Sequence, residues 1–170
     1  KSELKNIPIL LGSTAYVISD CEMRVANHQP LPDEHSLAVI SDDLRIRYQT
    51  EVFSIATSCT SSAQAIGYAY KMLKANMYEK VLVVGFEMFN RLTFEHFQSM
   101  NLLSQADEYQ PFANPTGIVL GEGVGCIALS TQPNLTFSCE IFGITTITDN
   151  ENLTNSSEIA LRQLLADCLA

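Results

Sequence analysis

Val52-Phe-Ser-Ile-Ala-Thr-Ser-Cys-Thr-Ser-Ser62, continued by a helical pattern to Met77 and then by Val81-Leu-Val-Val-Gly85, decides the fold of this chain. Val52 to Ala56 is β-branched, aromatic and small, the composition of a buried strand. From Ser61 the apolar spacing changes to three and four. Ala63, Ile66, Tyr70, Leu73 and Met77 fall on one stripe, and Gln64, Lys71 and Lys74 on the other side, which predicts an amphipathic helix. Val81 to Val84 is apolar at every position and stops at Gly85. That pattern predicts a strand covered on both faces, with the adjacent Leu82 and Val83 both buried. Strands of this kind alternating with helices define an α/β domain whose sheet lies between helical layers.

Outward from this centre the same rules place the other elements. Upstream, Ile7 to Leu11 reads as a strand ending at Gly12-Ser13-Thr14, residues 15 to 35 as an irregular connection, and Ser36 to Leu44 as a short helix. Downstream, a helix over Leu92 to Met100 carries Phe94 and Phe97, and a polar loop runs from 104 to 117. Gly121-Glu-Gly-Val-Gly125 introduces a strand over Cys126 to Leu129. Phe137, Cys139 and Ile141 alternate with polar residues as a half-exposed strand would. Asn155-Ser-Ser-Glu158 matches the cap of a final helix with Leu161, Leu164, Leu165 and Cys168 on its stripe.

Composition narrows the classes of function. The chain has 170 residues, 46% of them apolar, enough for one well-packed domain. Its longest apolar runs fall far short of a membrane span, and no signal peptide opens it, so no membrane partner is expected. Ten basic against nineteen acidic side chains leave a net charge of −9 with no basic cluster, which argues against nucleic acid as a partner. The five cysteines are odd in number, widely spaced and free of C-x-x-C pairs. A cytoplasmic setting with no metal and no cofactor is the expectation. Gly121-Glu-Gly-Val-Gly125 precedes a strand where a dinucleotide loop would follow one, so it makes no phosphate site.

The residue type with the most chemistry sits in the turn between the central strand and helix. Cys59 lies where N–H groups and the dipole of a helix N-terminus stabilise negative charge, on a sulfur or on a developing oxyanion. It is a candidate nucleophile, and equally a small residue filling space at a strand end.

Ser58-Cys-Thr-Ser-Ser62, Ala65-Ile-Gly67, Val81-Leu-Val-Val-Gly85, Leu103-Ser104, Pro111-Phe112 and Gly117-Ile-Val-Leu-Gly-Glu-Gly-Val-Gly125 resemble, in order and spacing, the β-ketoacyl-acyl carrier protein synthases of the thiolase superfamily. The resemblance reaches back to Ile9–Ser13 and forward through Glu140-Ile-Phe-Gly143 to Asp149. It implies a thiolase-like layered α/β/α/β/α fold built from two similar halves. One half of it, a mixed sheet between helical layers, would be present here. Residues 1–133 would be the N-terminal ketosynthase-like domain and 134–170 the start of an incomplete second half. The implied chemistry is transfer of an acyl chain from a carrier protein or coenzyme A thioester to Cys59. Condensation with the carbanion from a decarboxylated malonyl thioester would follow. The Cys59 N–H would be one oxyanion donor. Phe97 and Phe112 would contact substrate, although Phe97 reads equally well as ordinary helix core. A homodimer through Val52 to Ala56, or a complementary ketosynthase subunit, is the implied partner. Arg45, Arg47, Lys71 and Lys74 are basic enough to meet an acidic carrier protein, or simply lie on a solvated surface.

Departures from the family pattern bear on the activity. The two histidines that assist decarboxylation in relatives are not found, the first belonging to a His-Gly-Thr motif beyond Ala170. His28, His35 and His96 match no catalytic motif. Lys1 to Asn6 stands where relatives have a first strand, and Gln110-Pro-Phe-Ala113 replaces an Arg-Pro-Phe-Asp pattern. The chain thus resembles the first half of a ketosynthase: a fragment, a short paralogue, or a subunit completed by a partner. Two other functions compete with the condensing enzyme: a non-catalytic scaffold like the chain-length factors, and a cysteine hydrolase. The hydrolase elbow Gly-x-Cys-x-Gly is here Thr57-Ser-Cys-Thr-Ser61.

Overall fold

The computed structural model describes residues 4–106, 108, 110, 117–133, 139–149 and 157–169. Strands β1 (Ile9–Gly12), β2 (Val52–Ile55), β3 (Lys80–Glu87) and β4 (Gly123–Ser130) form one sheet in the order β2-β1-β3-β4. β1 runs parallel to both neighbours, with Gly12 opposite Ile55 on one side and Gly85 on the other. β4 is antiparallel to β3 and pairs Cys126 with Val84. The sheet is therefore mixed.

One helix, α3 (Ser61–Lys74), lies across the middle of it. Leu10, Val81 and Val83 meet Ala65, Ala69 and Leu73 in the main buried cluster. The buried stripe of α3 is thus Ala65-Ala69-Leu73, displaced from the expected one. Ala63 and Met77 are exposed, and Met77 lies beyond the helix. Small residues face the sheet because they let the helix axis come close; Ile66 and Tyr70 lie on its flank and are half-buried.

Side-chain alternation puts a second helix on the opposite face. Phe53 and Ile55 pack towards the α3 cluster, while Ser54 between them meets Ser41 of α2 (Leu37–Tyr48) through a 2.5 Å Oγ···Oγ hydrogen bond. Ile9 and Leu11 on that face are 2% and 1% exposed. The expected layering of helix, sheet and helix is present. Covering of β3 is unequal, however. Val83 is buried at 3% exposure but Leu82 only half-buried, since the helix that packs on β3 is α3, on the Val83 face.

Other boundaries move for identifiable reasons. Within the segment expected to be irregular, Ile18–Ala26 is a helix, α1. It has no side-chain cap, which removed the usual signal, and it is held by packing against α4 (Arg91–Ser99). α2 runs one turn past Leu44 and ends at Gln49 in the left-handed conformation, with Ser36 capping its start. β4 begins inside the glycine motif, at Gly123. Cys139 to Ile141 joins no strand ladder; Phe137 lies outside the described residues. Instead this segment lies beside α3, where Tyr70 Oη donates to the Phe142 carbonyl at 3.1 Å and Gln64 reaches Thr146 at 3.4 Å. α5 (Glu158–Leu169) starts where expected, with Ser157 Oγ accepting from Ala160 N, but none of its residues is buried. Among the described residues no helix is long and apolar enough to cross a membrane.

Candidate active site

The turn from β2 to α3 is built from hydroxyls. Ser61 N and Ser61 Oγ both donate to the Ser58 carbonyl, at 3.0 and 2.6 Å, and Ser61 Oγ accepts from Thr57 N at 2.9 Å. Thr60, at the N-cap position, donates its hydroxyl back to the Thr57 carbonyl at 2.9 Å. Ser58 has φ 57°, a left-handed conformation that costs an L residue about 1–2 kcal/mol. The bonds on its carbonyl offset that cost. Cys59 follows, one residue before the cap of α3, and is exposed.

Two glycines allow α3 to start this close to the sheet. A Cβ on Gly12 would lie 2.8 Å from the Ser61 carbonyl carbon and oxygen, and one on Gly85 would overlap the Ser62 side chain. With both absent, the ends of β1 and β3, the first turn of α3 and β4 enclose an open hollow of about 570 Å³. Cys59 borders it together with Thr14, Ser62, Glu87 and, from the β4 side, Cys126. The wall is otherwise largely apolar, with Ile66, Val83, Phe86, Val124 and Ile127. A thiol beside an apolar cleft suits an acyl chain better than a charged substrate.

The other candidate residues are spread more widely. Phe97 is half-buried on α4, in edge contact with His96, and is not part of the wall of the hollow. Phe112 lies outside the described residues. His28, His35 and His96 are exposed, and no histidine is among the described residues lining the hollow. Among the described residues no group of His, Cys, Asp and Glu is placed to hold a metal ion. Arg45 and Arg47 pair with Asp42 and Asp43 within α2, whereas Lys71 and Lys74 lie over the rings of Tyr68 and Tyr70. Sequence reasoning missed Thr14 and Glu87. The only local signal for either was a polar residue just past a glycine at a strand end.

Comparison with known proteins places this geometry. Residues 39–134 match the family model described as β-ketoacyl synthase, N-terminal domain. A search of curated proteins found no match. The chain is similar in structure to a chain of the complex between the ketosynthase ApeO and its chain length factor ApeC from Xenorhabdus doucetiae. The TM-score is 0.61 and the identity 20%, over 79% of this chain and 37% of that one. A β-ketoacyl synthase from Burkholderia phymatum STM815 is similar at TM-score 0.56 and 20% identity, over 74% and 35% of the two chains. The ketosynthase from module 6 of the bacillaene synthase of Bacillus subtilis 168 gives TM-score 0.58 and 22% identity, over 74% and 21%. At these identities the likeness is one of fold, and the chain spans little more than a third of its similar structures, or less.

Proposed function

The chain belongs to the β-ketoacyl synthase family, and on that ground we propose that Cys59 is an acyl acceptor for carbon–carbon condensation in fatty acid or polyketide synthesis. The observation that carries the reading is an exposed thiol just before the N-cap of α3, at the edge of an apolar hollow. The Cys59 sulfur attacks the carbonyl carbon of an acyl thioester as its thiol gives up a proton, the oxyanion is met by the Cys59 N–H, and the old C–S bond breaks so that the carrier or coenzyme A sulfur leaves and takes up that proton. Condensation with a malonyl thioester then needs groups that stabilise the enolate formed as carbon dioxide departs. Those would come from a second half, of which we read residues 134–170 as the beginning. A homodimer through the edge strand β2, or a complementary ketosynthase subunit, would complete the assembly.

A second reading, that the chain is a ketosynthase-like partner without condensing activity of its own, is favoured by the lack of histidine among the described residues lining the hollow. One experiment separates the two. The chain is incubated with an acyl-coenzyme A or acyl-carrier thioester and examined by mass spectrometry. A single adduct lost in Cys59→Ala supports the acyl acceptor. Labelling spread over Cys21, Cys126, Cys139 and Cys168 with Cys59 inert rejects it. A chain that takes no acyl group yet changes the product length of a co-expressed active ketosynthase supports the partner reading.

A further inference from the structure

The rim of the hollow holds a carboxylate with a defined task. Glu87, at the end of β3, accepts from Thr14 N through Oε2 and from Ala15 N through Oε1, both at 2.9 Å. One side chain thus clamps two successive amides of the turn that leaves β1, by charge-assisted bonds that fix its orientation as well as its place. The clamped turn presents the Thr14 hydroxyl to the Ser58 carbonyl, to which it donates at 3.0 Å.

That carbonyl belongs to the peptide joining Ser58 to Cys59. Among the described residues no peptide is cis, and a trans peptide is planar, so the direction of the Ser58 C=O sets the opposite direction of the Cys59 N–H. Whatever holds the oxygen also aims the amide. Ser61 holds it from within the turn; Thr14 holds it from across the sheet, and is itself held by Glu87. Ser58 sits at a positive φ, so the turn has an energetic reason to relax when one of these bonds is lost.

We propose that Glu87 and Thr14 are positioning residues that lock the Ser58–Cys59 peptide, and through it the Cys59 N–H and thiol, at the mouth of the hollow. The proposal rests on the reading of Cys59 as acyl acceptor for its functional consequence, and on geometry alone for the lock. Neither residue exchanges a proton or bonds to substrate in this scheme.

The test uses the full chain with Thr14→Val, which removes the donor at constant shape, Thr14→Ser, which keeps it, and Glu87→Ala and Glu87→Gln. Two quantities are read: amide hydrogen exchange over Cys59 to Ser61, and the rate of Cys59 acylation by an acyl-coenzyme A. Thr14→Val is expected to accelerate exchange about fivefold and to lower the saturating acylation rate about tenfold, because a misaimed donor stabilises the oxyanion poorly. Thr14→Ser restores both quantities, Glu87→Ala repeats Thr14→Val, and Glu87→Gln, which keeps one acceptor oxygen, falls between. The pair Glu87→Ala and Thr14→Val together costs no more than either alone, since they act in series. Exchange unchanged in Thr14→Val, or no rescue by Thr14→Ser, overturns the lock. A wild-type chain that takes no acyl group while Thr14→Val still accelerates exchange overturns the acyl-acceptor reading and leaves the lock standing.

Discussion

Gly12 at the end of β1 and Ser61 at the start of α3 meet backbone to backbone: a Cβ at position 12 would lie 2.8 Å from the Ser61 carbonyl group and 2.9 Å from Ser62 Cα. The contact seats the nucleophile turn on the sheet, because Ser61 also ties Thr57 and Ser58 together.

Gly12→Ala should therefore be costly, since main chain cannot move aside. A loss of about 3 kcal/mol is expected, at the upper end for overpacking. Gly85→Ala meets Ser62 Oγ, which can rotate away, and Ser62 Cβ at 2.9 Å, which cannot, and should cost about 2 kcal/mol. Urea unfolding of the two variants checks the order; equal losses would show that the helix start is free to shift.

Along the same helix the opposite result is expected at Gly67. A Cβ there would touch Ile144 Cγ2 at 3.5 Å, ordinary contact, at a backbone angle open to alanine. Gly67→Ala should stabilise by about 0.5–1 kcal/mol, because alanine loses less chain entropy in a helix. Ala65→Leu, pressed against the sheet, should destabilise by about 1–3 kcal/mol, while leucine at the exposed Ala63 should be near neutral.

Glu22 of α1 ties the two helices the sequence joined least clearly. Its carboxylate accepts from Arg91 N at 2.8 Å and Leu92 N at 2.7 Å, at the start of α4. Glu22→Ala should lower stability by about 1 kcal/mol, as loss of a charged helix cap does, with faster amide exchange at Arg91 and Leu92. Glu22→Gln should cost less, and unchanged exchange in both would refute the capping role.

At the other end of the sheet, the Tyr78 phenol donates to the Glu51 carboxylate, and that bond, with burial and the carboxylate charge, raises its pKa above 10.0. The neutral form is favoured in the folded chain, so the contribution is fully present below the unfolded value and is lost as pH rises through the folded one. Stability measured from about pH 9 to about pH 11 should fall more steeply for wild type than for Tyr78→Phe. Parallel curves would contradict this.

The sequence by itself determined the repeating units: a strand over 52–56, the helix from Ser61, a strand over 81–84 and the placing of Cys59 between the first two; the structure carries the last strand past Gly85 to Glu87. Periodicity and turn chemistry are local, so they survive without the rest of the molecule. It also carried the family, through motifs whose spacing reflects that same order. What it left undecided depended on neighbours distant in the chain. α1 lacks a side-chain cap and is defined by its packing on α4. Ala65, Ala69 and Leu73 face the sheet, and the two alanines let the helix approach the strands closely. Cys139–Ile141 has strand periodicity but no partner ladder among the described residues. Thr14, Glu87 and Ser58 are separated by 73 and 44 positions at their hydrogen bonds, and no local pattern encodes such meetings. Only the tertiary structure, by bringing the ends of β1 and β3 beside the start of α3, made them one device around Cys59.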